Sequence, residues 1–170
     1  LKSSIRNDNP VCFFESELTY SLKGEVPEEE YLIPLGKADV KRTGTDLTII
    51  TWSKNVFLAL QVAEELANQC VSAEVVDIRT LRPLDKETVL TSVAKTHRAL
   101  VIQEQHEVAS YGTYLSHLIM DQAFDELDAP VKVVSSLEVP IPYSKALDVI
   151  VVPNKERCMQ AAKELLAGHR

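Results

Sequence analysis

The run Val75-Val76-Asp77-Ile78-Arg79-Thr80-Leu81-Arg82-Pro83-Leu84-Asp85 leaves this chain few choices of fold. Val75, Val76 and Ile78 are β-formers packed closely enough for a buried strand. Pro83 cannot extend a ladder, so it ends the strand. Asp85 stands where a helix N-cap belongs, directly before Lys86-Glu87-Thr88-Val89-Leu90. Strand, polar turn and capped helix make one βα unit of a parallel sheet.

The same alternation runs from residue 37 onward. A short strand from Ala38 to Lys41 is joined tightly, through Thr43-Gly44-Thr45, to a strand from Leu47 to Trp52, which predicts one antiparallel edge strand. Ser53 is placed to cap a helix from Lys54 to Gln69, whose Phe57, Leu58, Leu60, Val62, Ala63, Leu66 and Ala67 form a broad apolar stripe. After the strand Ala73 to Ile78 come a helix Lys86 to Lys95 and a strand Ala99 to Gln103. A loop carrying His106 then leads past Gly112 into a helix reaching about Glu126. Val131 to Val134 reads as a further strand, and Val139 to Tyr143 as a turn stiffened by Pro140 and Pro142. Asn154 caps a last helix from Lys155 to Ala167. Strands alternating with helices of ten or more residues predict an α/β fold of three layers, α/β/α, around a mostly parallel sheet.

The first third reads differently. Leu1 to Arg6 closes a helix, Asn7-Asp8-Asn9-Pro10 is a turn, and Val11 to Phe14 is a short apolar strand. Residues 17–36, with Gly24, Pro27, Glu28-Glu29-Glu30 and Pro34, have linker composition. A helix end and one strand cannot enclose a core. Residues 1–33 are therefore expected to be the tail of a preceding domain plus a linker, and residues 34–170 a domain of their own. The absence of an initiator Met fits a piece of a longer protein.

Composition narrows the function. The chain of 170 residues is 45% hydrophobic and 25% charged, a balance that supports a packed core. Its net charge of −7 excludes non-specific nucleic-acid binding, which needs Lys and Arg against phosphates, and suits docking a basic partner. No apolar run reaches the roughly 20 residues that cross a bilayer. Cys12, Cys70 and Cys158 are isolated, with no metal-ligand spacing, and read as reduced thiols.

Several residues invite a chemical reading. Phosphate binding would need a glycine-rich turn after the Leu47 strand, and Ser53-Lys54-Asn55-Val56 has none. Among His97, His106, His117 and His169, only His106 falls on a loop at the C-terminal end of a strand, where α/β sites gather, which gives the run Gln103-Glu104-Gln105-His106-Glu107 functional potential. His97 suits a helix C-cap. Arg79 and Arg82 could hold a substrate carboxylate, or pair with Asp77, Asp85 or a neighbouring subunit. The carbonyls of Ser4 and Ile5 with the side-chain oxygens of Asn7 and Asn9 make a hard, weakly charged oxygen set. Such a set suits a large monovalent cation better than zinc, and it is equally an ordinary helix-ending turn.

Three segments carry a resemblance. Residues 75–85, Tyr31-Leu32-Ile33-Pro34-Leu35-Gly36-Lys37-Ala38 and Leu127-Asp128-Ala129-Pro130 are similar to the C-terminal part of beta subunits of the decarboxylating component of 2-oxo acid dehydrogenase complexes, pyruvate type. This is the transketolase C-terminal domain family. The resemblance implies a five-stranded mixed sheet with one antiparallel strand. It implies a parent enzyme that decarboxylates a 2-oxo acid on thiamine diphosphate with magnesium and passes the acyl group to a lipoyl arm. The activating glutamate and the diphosphate site would lie outside these residues, so the chain alone is expected to be inactive and to serve assembly. The implied partners are an alpha subunit, a second beta subunit and the basic subunit-binding domain of the dihydrolipoyl acyltransferase core, with Asp128 at that last contact. The implied ion at Ser4, Ile5, Asn7 and Asn9 is potassium, although the family aspartate is Asn7 here. The family's glycine-rich approach to the fourth helix is reduced to Gly112. The implied location is the cytoplasm in a bacterium, or the mitochondrial matrix or plastid in a eukaryote. Two other readings stay open: a free-standing interaction module of the same fold, and a small nucleotide-binding enzyme using Arg79, Arg82 and His106. The segments Glu17-Leu18-Thr19-Tyr20 and Tyr31-Leu32-Ile33-Pro34-Leu35-Gly36-Lys37 lean the substrate towards pyruvate over a branched-chain 2-oxo acid.

Overall fold

The computed structural model describes residues 1–168; His169 and Arg170 lie outside the described residues. In chain order the elements are α1 (Lys2–Ile5), β1 (Asp39–Arg42), β2 (Leu47–Thr51), α2 (Asn55–Ala67), β3 (Ala73–Asp77), α3 (Lys86–Thr96), β4 (Ala99–His106), α4 (Tyr111–Gln122), β5 (Lys132–Ser136), α5 (Lys145–Val151) and α6 (Lys155–Ala167). Five strands form one sheet in the order β1-β3-β2-β4-β5. β3, β2, β4 and β5 run parallel, and β1 is antiparallel at the edge.

Side-chain alternation along the strands divides the core in two. Leu47, Ile49, Val75, Leu100 and Ile102 face α2 and α6, meeting Val62, Leu66, Cys158 and Leu165. Ile50, Val76, Ala99 and Val101 face the opposite way, meeting Val89 and Val93 of α3 and Leu115 and Ile119 of α4. Both faces of the sheet are covered, which is why its strands are apolar at successive positions rather than at alternate ones. The three-layer α/β/α architecture expected from the alternation is the one observed.

The caps are local devices written into the sequence. Asp85 accepts from the Thr88 amide, Ser110 from the Thr113 amide and Asn154 from the Arg157 amide, each satisfying an otherwise unpaired first-turn donor. Ser53 departs from expectation. It takes a left-handed φ of 57°, and α2 begins after Lys54 without a side-chain cap.

Other expectations are corrected. β1 is the edge strand, yet it pairs with β3 and not with its sequence neighbour β2. The connection between β1 and β2 passes over the start of β3, where Thr45 and Asp46 amides both donate to the Ser72 carbonyl at 2.9 Å. Gly44 is needed there because a Cβ would overlap the Ala73–Glu74 backbone. Val11 to Phe14 is not a strand; it is exposed coil, Cys12 included, with no ladder to join among the described residues. β4 continues to His106 rather than ending at Gln103. The helix expected to reach Glu126 stops at Gln122, and a separate 3₁₀ turn spans Phe124–Glu126. α5 is an added element.

Candidate functional site

The C-terminal ends of parallel strands are where α/β proteins place ligands, because the strands deliver side chains there and the following helices begin there. In this chain that pole is built by β2, β4 and β5 and the start of α4. Gln103, fully buried near the end of β4, is its hub. Its Nε2 donates to Ser110 Oγ at 2.6 Å and Ser135 Oγ at 2.8 Å, and its Oε1 accepts from the Gly112 amide at 2.7 Å. The hub therefore binds β4 to β5 and to the first turn of α4. Beside it Lys54 Nζ lies 2.5 Å from Glu104 Oε1, bridging the starts of α2 and the end of β4.

Tyr111 closes the near side. Its ring stands edge-on to Trp52 at 5.7 Å and tilted to Tyr114 at 5.4 Å, and its hydroxyl donates to the Leu81 carbonyl. Burial pushes the Tyr111 hydroxyl above its ordinary pKa, so it is a neutral donor at neutral pH. A shallow cleft of about 470 Å³ opens beside these residues, lined by Glu104, His106, Val108, Tyr111 and Ile141 among others.

The polar groups at this pole mostly satisfy one another. Glu104 is engaged by Lys54, and Ser110 by Gln103 and Thr113. His106 is exposed at the end of β4. No group of three or more His, Cys, Asp or Glu among the described residues is placed to hold a metal ion. The turn leaving β2, Trp52-Ser53-Lys54, has no glycine to let backbone amides approach a phosphate. These residues do not fit a diphosphate–magnesium group.

The other sequence candidates fall on separate elements. The Arg79 amide donates to Asp77 Oδ1 at 3.0 Å, and its guanidinium pairs with Asp39 of the edge strand; it braces β1 against β3. Burial raises the Asp77 pKa, against the opposing influence of the Arg79 amide and the charges of Lys41 and Arg79. Arg82, exposed, opens the cis peptide bond to Pro83. His97 ends α3 with a left-handed φ of 59°, its Nδ1 2.8 Å from the Glu126 carbonyl, and His117 is exposed on α4.

Asp128 lies at the opposite pole, in the loop before β5. Its amide donates to the His97 carbonyl at 2.9 Å and its carboxylate meets Arg98 Nη2 at 2.8 Å, leaving it half exposed. In the N-terminal turn, Asn7 Oδ1 accepts from both the amide and the Nδ2 of Asn9, at 2.9 and 3.0 Å, and the Asn7 amide faces the Ser4 carbonyl at 3.4 Å. Both lone pairs of Asn7 Oδ1 are thus engaged, so a cation would have to displace Asn9 from it.

The sequence marks Gln103 only as part of the run around His106, and gives Lys54 and Tyr111 no role at the site. A polar amide at the end of an otherwise apolar strand, followed by a lone glycine nine residues later, was the available signal.

With this geometry in place, comparison with known proteins identifies the class. Residues 36–158 match the family "Transketolase, C-terminal domain", and the chain belongs to that family. The beta subunit of acetoin:2,6-dichlorophenolindophenol oxidoreductase from Bacillus subtilis (strain 168) is 41% identical over 98% of the chain and 48% of its own length. The mitochondrial pyruvate dehydrogenase E1 component subunit beta of Dictyostelium discoideum is 40% identical over 97% of the chain and 48% of its own length. The chain spans about half the length of these curated relatives. Among solved structures, a split-gene transketolase described as an inactive beta4 tetramer shares the fold, with a TM-score of 0.72 at 22% identity over 86% of this chain and 47% of that one. The five-stranded sheet with one antiparallel strand agrees with that family.

Proposed function

We propose that this chain is the C-terminal assembly domain of a thiamine diphosphate-dependent 2-oxo acid dehydrogenase beta subunit, with pyruvate as the substrate. The reading rests on one observation: likeness to such beta subunits runs over nearly the whole chain and over about half of the relative's own length. Thiamine diphosphate with magnesium would supply the carbanion chemistry in the parent enzyme, bound by residues other than these. This domain's work is contact, with an alpha subunit, a second beta subunit and the subunit-binding domain of a dihydrolipoyl acyltransferase. Residues 1–33 then belong with the preceding domain and its linker, and residues 34–170 form the assembly domain.

Asp128 supports the acyltransferase contact. It is exposed on a loop fixed from both sides by His97 and Arg98, so a basic partner would meet it already positioned. Potassium at Ser4, Ile5, Asn7 and Asn9 belongs to the same reading and requires Asn9 to release Asn7. The compartment follows the organism: cytoplasm in a bacterium, mitochondrial matrix or plastid in a eukaryote. No helix among the described residues is long and apolar enough to cross a membrane.

The acetoin relative favours a second substrate, a 2-hydroxy ketone in place of a 2-oxo acid. One experiment separates the readings. The native gene product is purified from its own cells, and its mass, co-purifying subunits and thiamine-dependent turnover of pyruvate and of acetoin are measured. A product about twice this size, with an alpha subunit and pyruvate turnover, is expected. Acetoin turnover alone would transfer the assignment to the second substrate, and a free product of 19.0 kDa without either activity would overturn the enzyme reading.

A further inference from the structure

Among the described residues, Ser53, Cys70, Arg79, His97 and Ala109 take a left-handed φ without being glycine. Cys70 and His97 stand just past α2 and α3, where a left-handed residue is an ordinary way to end a helix. The other three, at 57°, 51° and 54°, lie one in each of the turns leaving β2, β3 and β4, all at the strand-end pole. Such residues persist only where their surroundings hold them, and they gather at sites and switches.

The turn at Arg79 is held on both flanks. The Thr80 amide donates back to the Ile78 carbonyl, closing a tight three-residue turn of the strained kind around Arg79. On one flank the segment that enters the sheet leans on this turn. The Gly36 amide donates to Thr80 Oγ1 at 3.0 Å and the Ala38 amide to Asp85 Oδ2 at 3.0 Å. Gly36 also lies close on the Pro83 ring, so that a Cβ there would come within 2.8 Å of Pro83 Cγ. On the other flank the Tyr111 hydroxyl donates to the carbonyl of Leu81, the residue next to Thr80. Tyr111 is itself a wall of the cleft. Cleft, Tyr111, Leu81, Thr80 and Gly36 thus form one line of contacts. Coupling between two places needs an element with two arrangements that both places bias. Strain in the turn favours its relaxation, and the hydrogen bonds on its two flanks oppose it. Losing either set lets the turn relax and loosens the other, a dependence that is reciprocal.

We propose that residues 78–85 are a latch that couples the segment at 35–38 to the cleft beside Tyr111. What the latch fastens rests on the assembly reading, in which this segment ends the linker from a preceding domain; the contacts themselves do not. Amide hydrogen exchange in the native gene product, read by mass spectrometry, tests it. Tyr111→Phe deletes the hydroxyl and keeps the ring beside Trp52. Exchange at Gly36 and Ala38 is expected to rise about fivefold, the effect of one net hydrogen bond transmitted through the turn, with β2 and β4 unchanged. Thr80→Val acts from the other flank and should raise exchange across Gly112 to Tyr114 about two- to fivefold. A rise confined to residues 79–84 in either variant would overturn the coupling. Where Tyr111→Phe accelerates β2 and β4 as well, the domain has unfolded and Thr80→Val decides: unchanged exchange at Gly112 to Tyr114 overturns the proposal. A native product of 19.0 kDa that shows both effects would keep the latch and remove the preceding domain from the reading.

Discussion

Gln103 Oε1 accepts from the Gly112 amide at 2.7 Å, and a Cβ added at Gly112 would lie 2.6 Å from the same side-chain amide. The strand end and the helix start are matched to each other with no room for a methyl group. Alanine is the better helix former by about 1 kcal/mol, so propensity alone favours Gly112→Ala. Overpacking a side chain held by three good hydrogen bonds should outweigh that gain. Gly112→Ala is expected to destabilise by about 1–3 kcal/mol in urea unfolding. Combining it with Gln103→Ala should cost less than the sum of the two, because the truncation restores the space.

Asp85 caps α3 and ties β1 to it. Burial acts to raise its pKa, and this is outweighed by donors from the Ala38 amide and the Thr88 hydroxyl and amide and by the Lys37 charge, so the carboxyl sits below its ordinary 3.8. A depressed folded-state pKa adds stability above the unfolded value, lost as pH falls through the folded one. Asp85→Ala should cost about 0.5–2 kcal/mol at neutral pH from the cap alone. Denaturation measured from pH 5 downward should show the variant's deficit shrinking below pH 3.8.

Asp77 has the opposite sign. Burial raises its folded-state pKa above 3.8, so its charge opposes folding at neutral pH and the penalty is relieved as pH falls through that raised value. Asp77→Asn keeps an acceptor for the Arg79 amide. The variant should equal or exceed the wild type in thermal stability at pH 7, with the advantage disappearing in acid. A lower melting temperature at pH 7 would mean that the nearby charges of Lys41 and Arg79 matter more to Asp77 than its desolvation.

Burial pushes the Cys158 thiol up to about 12, whereas Cys12 and Cys70 are exposed. Alkylation at pH 8 with mass detection should add two groups to the native chain and a third only after denaturation.

Arg157 holds three carbonyls at the neck of the 137–151 loop. Hydrogen bonds from a charged donor are worth about 1.5–3 kcal/mol when lost. Arg157→Ala should open that loop to limited proteolysis before the sheet unfolds, and Arg157→Lys should restore part of the protection.

The parts of the fold legible in the sequence are those with local causes. Asp85 and Asn154 announced their helices because a cap needs only its own first turn. The strands announced themselves because burial on both faces demands continuous apolar runs. What depends on distant residues was hidden. β1 has the composition of an edge strand, but its pairing with β3 follows from a backbone crossing that only Gly44 hints at. Val11 to Phe14 has strand composition and no neighbour to pair with. α5 escaped because most of its apolar residues face outward, so the usual one-sided burial never singles it out. At the candidate site, His106 stands out in the sequence by its place after a strand, whereas the organising residue is Gln103, whose role exists only once β5 and α4 bring their serines and glycine to it.

The order β1-β3-β2-β4-β5 has a consequence for biosynthesis. β1 leaves the ribosome first but has no ladder until β3, more than thirty residues later, has been made and laid beside β2. Everything before β1, including the turn at Asn7 and the pairing of Arg6 with Glu30, stays tethered to an undocked strand through that interval. The β1–β3 edge pairing therefore cannot form until β3 has been made, whereas the β2–β3 pairing joins strands only one helix apart.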